Sequence, residues 1–270
     1  MARTAKGLAF AAAFAVFAFG SGAAQAATCG NNSGGFEAWK QEFMGEARGN
    51  GIGKKALSAL ANTNYSSKTI SADRNQKSFK LSLNQFMAKR GANTIISKGK
   101  SLKRQNAALF DSLERRYGVP AGPLIAIWGM ETGFGSFMGN SNTLSAVATL
   151  AYDCRRSEYF TEQLYAALQL VQNGTLSAQS VGAMHGEVGQ TQFLPVNVLR
   201  YGADGDGNGR VDLRNKADAL ASTANFLRGH GWQPGGGYQP GQTNYGAIQG
   251  WNAASVYQQA IAIIGAEIDG

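Results

Sequence analysis

No G-x-S-x-G elbow, no H-E-x-x-H pair and no phosphate-cradling glycine loop occurs in these 270 residues. Serine-hydrolase, zinc-protease and nucleotide-hydrolase chemistry therefore lack their anchor residues. Histidine is almost absent: there are two, and His185 has no cysteine or second histidine nearby with which to build a zinc site, so it reads as structural. No cluster of lysine and arginine is dense enough to demand nucleic acid. Alternating strand patterns are scarce and no internal repeat is present, which leaves one mostly helical domain. The longest apolar run, Leu8 to Phe19, is too short to span a bilayer.

That run has another explanation. Arg3 and Lys6 precede it and Ala24-Gln25-Ala26 follows, so residues 1–26 read as a cleaved signal peptide that directs the protein to the periplasm. No leucine precedes Cys29 as a lipoprotein signal would require, and no stable membrane insertion is expected. The formal net charge is +8, two less without Arg3 and Lys6, which suits an anionic partner. Export argues against nucleic acid. The only cysteines, Cys29 and Cys154, are expected to form one disulfide in an exported chain, with two free buried thiols as the alternative.

Along the chain, residues 27–35 form a polar leader and residues 36–270 the domain. Phe36, Trp39 and Phe43 fall at helical spacing, stopped by Gly49 and Gly51. Asn62 to Asn75 reads as loop. Leu102, Leu109, Leu113 and Tyr117 mark one face of a longer helix. Further helices are predicted from Ser157 to about Val171, from Lys216 to Leu227 and from Ala253 to Ile264.

The chain is organised around Tyr117 to Asn140. Pro120 and Pro123 suit a helix start, and Leu124 to Met130 is almost wholly apolar, so that helix should be buried on most sides. Glu131 ends the run, followed by Gly133 and Gly135, which leave bare backbone for a ligand to approach. A lone carboxyl there suits a general acid with a raised pKa. The alternative is a structural glutamate paired with arginine or capping a helix.

Asp204, Asp206, Asn208, Arg210 (through its carbonyl) and Asp212 occupy positions 1, 3, 5, 7 and 9 of an EF-hand-type loop, with Gly209 at position 6. Asn215 replaces the usual glutamate at position 12, so either affinity falls or Asp218 contributes. The alternative is a plain turn without metal. In the segment from Ala183 to Pro195, Gln190 and Gln192 offer amides for sugar hydroxyls or acetamido groups, Phe193 packs, and Glu187 is a possible second carboxylate. Arg155 or Arg156 is placed to hold Glu131 or a substrate carboxylate, unless both are surface residues.

The motifs IAIWGMETGFGSFMGN, ATLAYDCRRSEYF, GEVGQTQFLP and DGDGNGRVDL…KADALASTANFLRGHGW, in this order and spacing, resemble the lytic murein transglycosylases of the B type. GFEAWKQEFMGEA and ISADRNQ extend the likeness to roughly residues 36–260. The resemblance implies a mainly α, lysozyme-like domain with an EF-hand-like calcium loop, Glu131 as the single catalytic carboxylate, and sugar contacts from Arg155, Arg156, Gln192 and Asn252. It implies peptidoglycan glycan strands as substrate, a structural Ca2+ without an organic cofactor, and a monomer.

Three departures stand out. Ala183 and Met184 replace a serine and an aromatic residue, Val196 replaces a serine, and the link from His230 to Asn252 is too short for an inserted β subdomain. A hydrolytic muramidase using Glu187, or a non-catalytic peptidoglycan-binding protein, are the other two readings.

Overall fold

The computed structural model describes residues 27–75 and 81–270; the expected signal peptide lies outside the described residues. The chain starts with a 3-10 turn at Ser33–Gly35, then α1 (Phe36–Gly49), α2 (Lys54–Ala61) and α3 (Ser67–Arg74). Next come α4 (Leu83–Arg90), α5 (Ala92–Gln105), α6 (Ala107–Tyr117) and the central α7 (Ala121–Thr132). A two-residue strand β1 (Ser141–Asn142) leads into α8 (Thr143–Tyr152) and α9 (Ser157–Asn173). Its antiparallel partner β2 (Val181–Gly182) pairs Ser141 with Gly182 and Asn142 with Val181. The chain closes with α10 (Pro195–Tyr201), α11 (Lys216–Gly229), α12 (Tyr245–Trp251) and α13 (Ser255–Asp269). The fold is mainly α, as the scarcity of alternating patterns predicted.

Local chemistry accounts for most helix ends. Pro120 is the N-cap of α7 and Pro123 lies in its first turn, where missing N–H groups cost no intrahelical bond. Ser82 and Gln85 form a capping box on α4. Gly174 ends α9 in the left-handed conformation, φ +88°.

Two expectations were wrong. The stretch read as loop contains α3, because the Ser66 hydroxyl accepts the Thr69 N–H and starts a helix there. The single helix drawn through Leu102 and Tyr117 is two, broken at Asn106, whose side-chain amide donates to the Leu102 carbonyl.

Two hydrophobic clusters fill the interior. One joins Phe36, Trp39, Phe43, Leu60, Leu144, Leu150, Phe160 and Leu168 from α1, α2, α8 and α9. The other is built on α7, with Leu124, Ile125 and Ile127 fully buried against α5, α11 and α13. Every residue of α7 is buried except Glu131. The helices α7 and α13 cross closely because Gly122 meets Gly265: a Cβ on Gly122 would sit 2.2 Å from the Gly265 carbonyl oxygen.

Cys29 and Cys154 are disulfide-bonded, fastening the N-terminal segment beside the end of α8, where Gly30 also bridges to Asp153. The bridge spans a sequence separation of 125 residues. Loop-entropy arguments set its contribution at about 4–5 kcal/mol as an upper figure. Reduction should lower the melting temperature, and thiol labelling of the denatured, unreduced protein should find no free cysteine. Two labelled thiols would refute the bridge.

Candidate active site

The last turn of α7 sets Glu131 at the edge of the core. Gly133 follows as its left-handed cap, φ +58°, and Gly135 turns at φ +78°. These glycines reverse the chain rather than line a ligand gap, since a Cβ on Gly135 would strike the Gln190 side chain at 2.5 Å. The gap lies on the other side of Glu131. It is a cavity of about 350 Å³ formed where α7 and α9 face Gln192, Phe193 and the end of α12 at Trp251 and Asn252.

Glu131 Oε1 accepts two hydrogen bonds, from the Tyr257 hydroxyl at 2.6 Å and from Trp251 Nε1 at 3.2 Å. Burial of the carboxyl raises its pKa; the two donated bonds and the Arg90 guanidinium oppose this, and the charge of Glu187 adds a smaller push upward. The net direction is up, as a general acid needs. Tyr257 is itself held well above its ordinary pKa by burial and by the Glu131 charge, so it stays a donor. Arg90 is tied back by donating to the Met130 carbonyl at 3.3 Å and by lying over the rings of Phe86 and Tyr257.

Three sequence expectations need correction here. Neither Arg155 nor Arg156 holds Glu131: both guanidiniums grip the buried Asp73 of α3, and Arg74 pairs with Asp153 at 2.5 Å. Gln190 does not face the cavity. Its Oε1 accepts from Trp128 Nε1 at 2.8 Å and its Nε2 donates to the Arg214 carbonyl at 2.6 Å, so its amide is a strut. The Asp212 carboxylate is not part of the cluster formed by Asp204, Asp206 and Asp218; its Oδ1 accepts the Arg214 N–H.

Other expectations find their places. Gln192 lines the cavity with φ +57°, an uncommon conformation for a residue with a side chain, and its Nε2 donates to the Gly189 carbonyl at 2.8 Å. Asn252 also lines it, braced by the Ala254 N–H on its Oδ1. Sequence reasoning missed Trp251 and Tyr257, which lie 120 and 126 residues from Glu131. The available signal was the GWN motif, which contains Trp251 and shortly precedes Tyr257.

The acidic loop gathers Asp204, Asp206 and Asp218, with one carboxylate oxygen from each within 4.8 Å of the others. Asp218 is fully buried and accepts the N–H groups of Gly205 and Asp212. The Gly209 N–H, together with those of Gly207 and Asn208, holds Asp204 below the usual carboxylate range. Asn208 turns its Oδ1 to the Arg210 N–H, and Asn215 caps α11 through the Ala217 N–H. The donor set is hard oxygen, which fits calcium and no soft metal.

A family model described as a transglycosylase SLT domain matches residues 35–242. The chain belongs to the transglycosylase SLT domain family. The curated relative "Membrane-bound lytic murein transglycosylase B" of Escherichia coli (strain K12) is 36% identical over 143 residues, covering 48% of this chain. The chain accounts for only 39% of the length of that relative. Among solved structures, SltB3 from Pseudomonas aeruginosa in complex with NAG-anhNAM-pentapeptide has a TM-score of 0.80 at 28% identity, covering 87% of this chain and 80% of its own. The Escherichia coli lytic transglycosylase Slt35 in complex with calcium shares the fold, with a TM-score of 0.75 at 20% identity, over 90% of this chain and 96% of its own. The lysozyme-like fold expected from the motifs is thereby established.

The raised Glu131 pKa has a stability consequence. A carboxyl whose folded pKa lies above its unfolded value destabilises the protein at neutral pH, and that penalty fades as pH falls below the unfolded value. Glu131→Gln keeps the hydrogen bonds to Tyr257 and Trp251 and removes the buried charge. Its melting temperature should match or exceed that of the parent at neutral pH, with any gap closing in acid. A variant less stable at neutral pH would contradict the upward shift.

Proposed function

We propose that this protein cleaves peptidoglycan glycan strands between N-acetylmuramic acid and N-acetylglucosamine without hydrolysis, with Glu131 acting first as acid and then as base. The observation that carries this reading is a carboxyl at the end of a buried helix, raised in pKa, held by two donors and opening into a cleft.

The steps use no external water. Protonated Glu131 donates its proton to the glycosidic oxygen as the bond to C1 breaks, releasing the N-acetylglucosamine side as an alcohol. The N-acetyl carbonyl of the muramic unit stabilises the positive charge at C1. The Glu131 carboxylate then takes the proton of the C6 hydroxyl while O6 bonds to C1, closing a 1,6-anhydro ring and restoring the acid. Tyr257 and Trp251 fix the carboxyl and stabilise its ionised half-reaction. Gln192 and Asn252 in the cleft, with the partly exposed Arg155 and Arg156 beyond it, would contact the strand. The NAG-anhNAM-pentapeptide bound by SltB3 has the chemistry of such a product.

One observation favours a second reading, since Glu187 lines the same cavity as Glu131 and a second carboxylate could activate water. Its tether to His185 opposes that role. Glu131→Gln should cut turnover by at least ~10²-fold. The main products should be muropeptides lighter by one water than those of a lysozyme. Reducing-end products that vanish in Glu187→Gln would instead establish the hydrolase.

We further propose that the protein works in the periplasm. Export through residues 1–26 and an oxidised Cys29, whose sulfur is then closed to a lipid thioether, support a soluble exported form. No helix of the described residues is long and apolar enough to cross a membrane.

Calcium in the acidic loop is the third part of the proposal. Asp204, Asp206 and Asp218 would hold it, and its role there is to order the loop. Calcium should raise the melting temperature by mass action on the folded state, and Asp204→Ala should remove that increment. Identical melting curves in calcium and in chelator would leave the loop a turn.

A further inference from the structure

The cleft wall carries a carboxylate that the proposed reaction does not use. Glu187 sits in the loop between β2 and α10 and lines the same cavity as Glu131. Its Oε2 accepts the His185 N–H at 3.0 Å, and its Oε1 lies 3.1 Å from His185 Nδ1. These contacts fix the side chain without sealing it, for it remains 23% exposed. Each carboxylate oxygen has two acceptor sites, so acceptor capacity remains on this cavity-lining side chain.

No lysine or arginine of the described residues comes within ion-pair distance of Glu187. Arg155 and Arg156 are engaged by Asp73, and Arg90 lies back over Phe86 and Tyr257. Among the described residues the cavity is lined by two carboxyl groups, Glu187 and the raised-pKa Glu131, and by no basic side chain, in a chain with a net charge of +8. Such a wall favours a positive group on the ligand and disfavours a negative one. His185 sets the orientation of Glu187 and is itself 4.0 Å from Asp73, which ties this wall to α3.

We propose that Glu187 is a receptor for an ammonium group carried by the glycan strand, making it a specificity-determining residue. This deepens the reading of the cleft as a strand site and rests on it. Two sources share that chemistry: the C2 amine of a de-N-acetylated hexosamine, and the side-chain amine of a diamino acid in the stem peptide.

The test is binding calorimetry in a Glu131→Gln background, where cleavage is suppressed and Glu187 is the carboxylate that remains among the described cavity residues. One ligand pair is the N-acetylglucosamine hexasaccharide and the same sugar with free amines. The other is a muropeptide with its diamino-acid amine free or N-acetylated. In at least one pair the free-amine ligand should bind about ten-fold more tightly, as a hydrogen bond between charged partners allows. The pair that shows it identifies the source. Adding Glu187→Gln, which keeps size and shape, should bring that ratio close to one. Equal affinities in both pairs, or a preference that survives Glu187→Gln, would overturn the proposal. Failure of every ligand to bind would overturn the strand-cleft reading itself, whereas loss of the amine preference alone would leave that reading intact.

Discussion

The rest of the structure depends on one unfavourable placement, a carboxyl at the end of an otherwise buried helix. Desolvating a carboxylate is costly unless it is neutralised or hydrogen-bonded. At Glu131 both remedies are partial: two donors reach a single oxygen, and burial still prevails in lifting the pKa. The position is stable only because α7 is fixed on all sides, and it is the packing of α7 against α5, α11 and α13 that fixes it. The Gly122–Gly265 crossing brings α13 close enough for Tyr257, near its start, to reach the carboxyl.

Charge is handled differently elsewhere in the molecule. Asp73 is also buried, yet two arginines meet it, and Asp153 beside it has a third. Those pairs join α3 to the segment after α8, and the disulfide closes the same corner. The contrast separates carboxylates met by guanidinium groups from one met only by neutral donors. A guanidinium in contact with Glu131 would hold it ionised and defeat a general acid. Arg90, the arginine that does influence it, is kept at one remove by the Met130 carbonyl and two aromatic rings.

What was legible in the sequence follows from the range of the interactions involved. The apolar run before Glu131, the prolines at the start of α7 and the glycine after α9 are local signals, and each predicted its element. The alternating oxygen ligands of the acidic loop are local too, and the suggestion that Asp218 replaces position 12 agrees with the gathering of Asp204, Asp206 and Asp218. Errors arose where partners are distant or a cap is subtle. Neither Arg155 nor Arg156 holds Glu131, because their anion, Asp73, lies in a stretch read as loop. Composition could not reveal that Gln190 serves Trp128 and Arg214 rather than the cleft.

That last reassignment connects the acidic loop with the cleft. The Gln190 N–H donates to the Leu213 carbonyl and its Nε2 to Arg214, both in the loop region. On its other side Gln190 receives Trp128 Nε1, and its carbonyl accepts the Thr132 hydroxyl at 2.6 Å. Trp128 and Thr132 flank Glu131 on α7, and Thr132 Oγ1 also receives the Gly135 N–H that shapes the following turn. Four hydrogen bonds through one residue thus join the loop backbone to the turn of helix that carries Glu131. General acid catalysis depends on sub-ångström placement, and a group on the last turn of a helix is set no better than the cap beyond it. The loop is therefore part of the support of Glu131, even though it lies outside the cavity that this carboxyl lines.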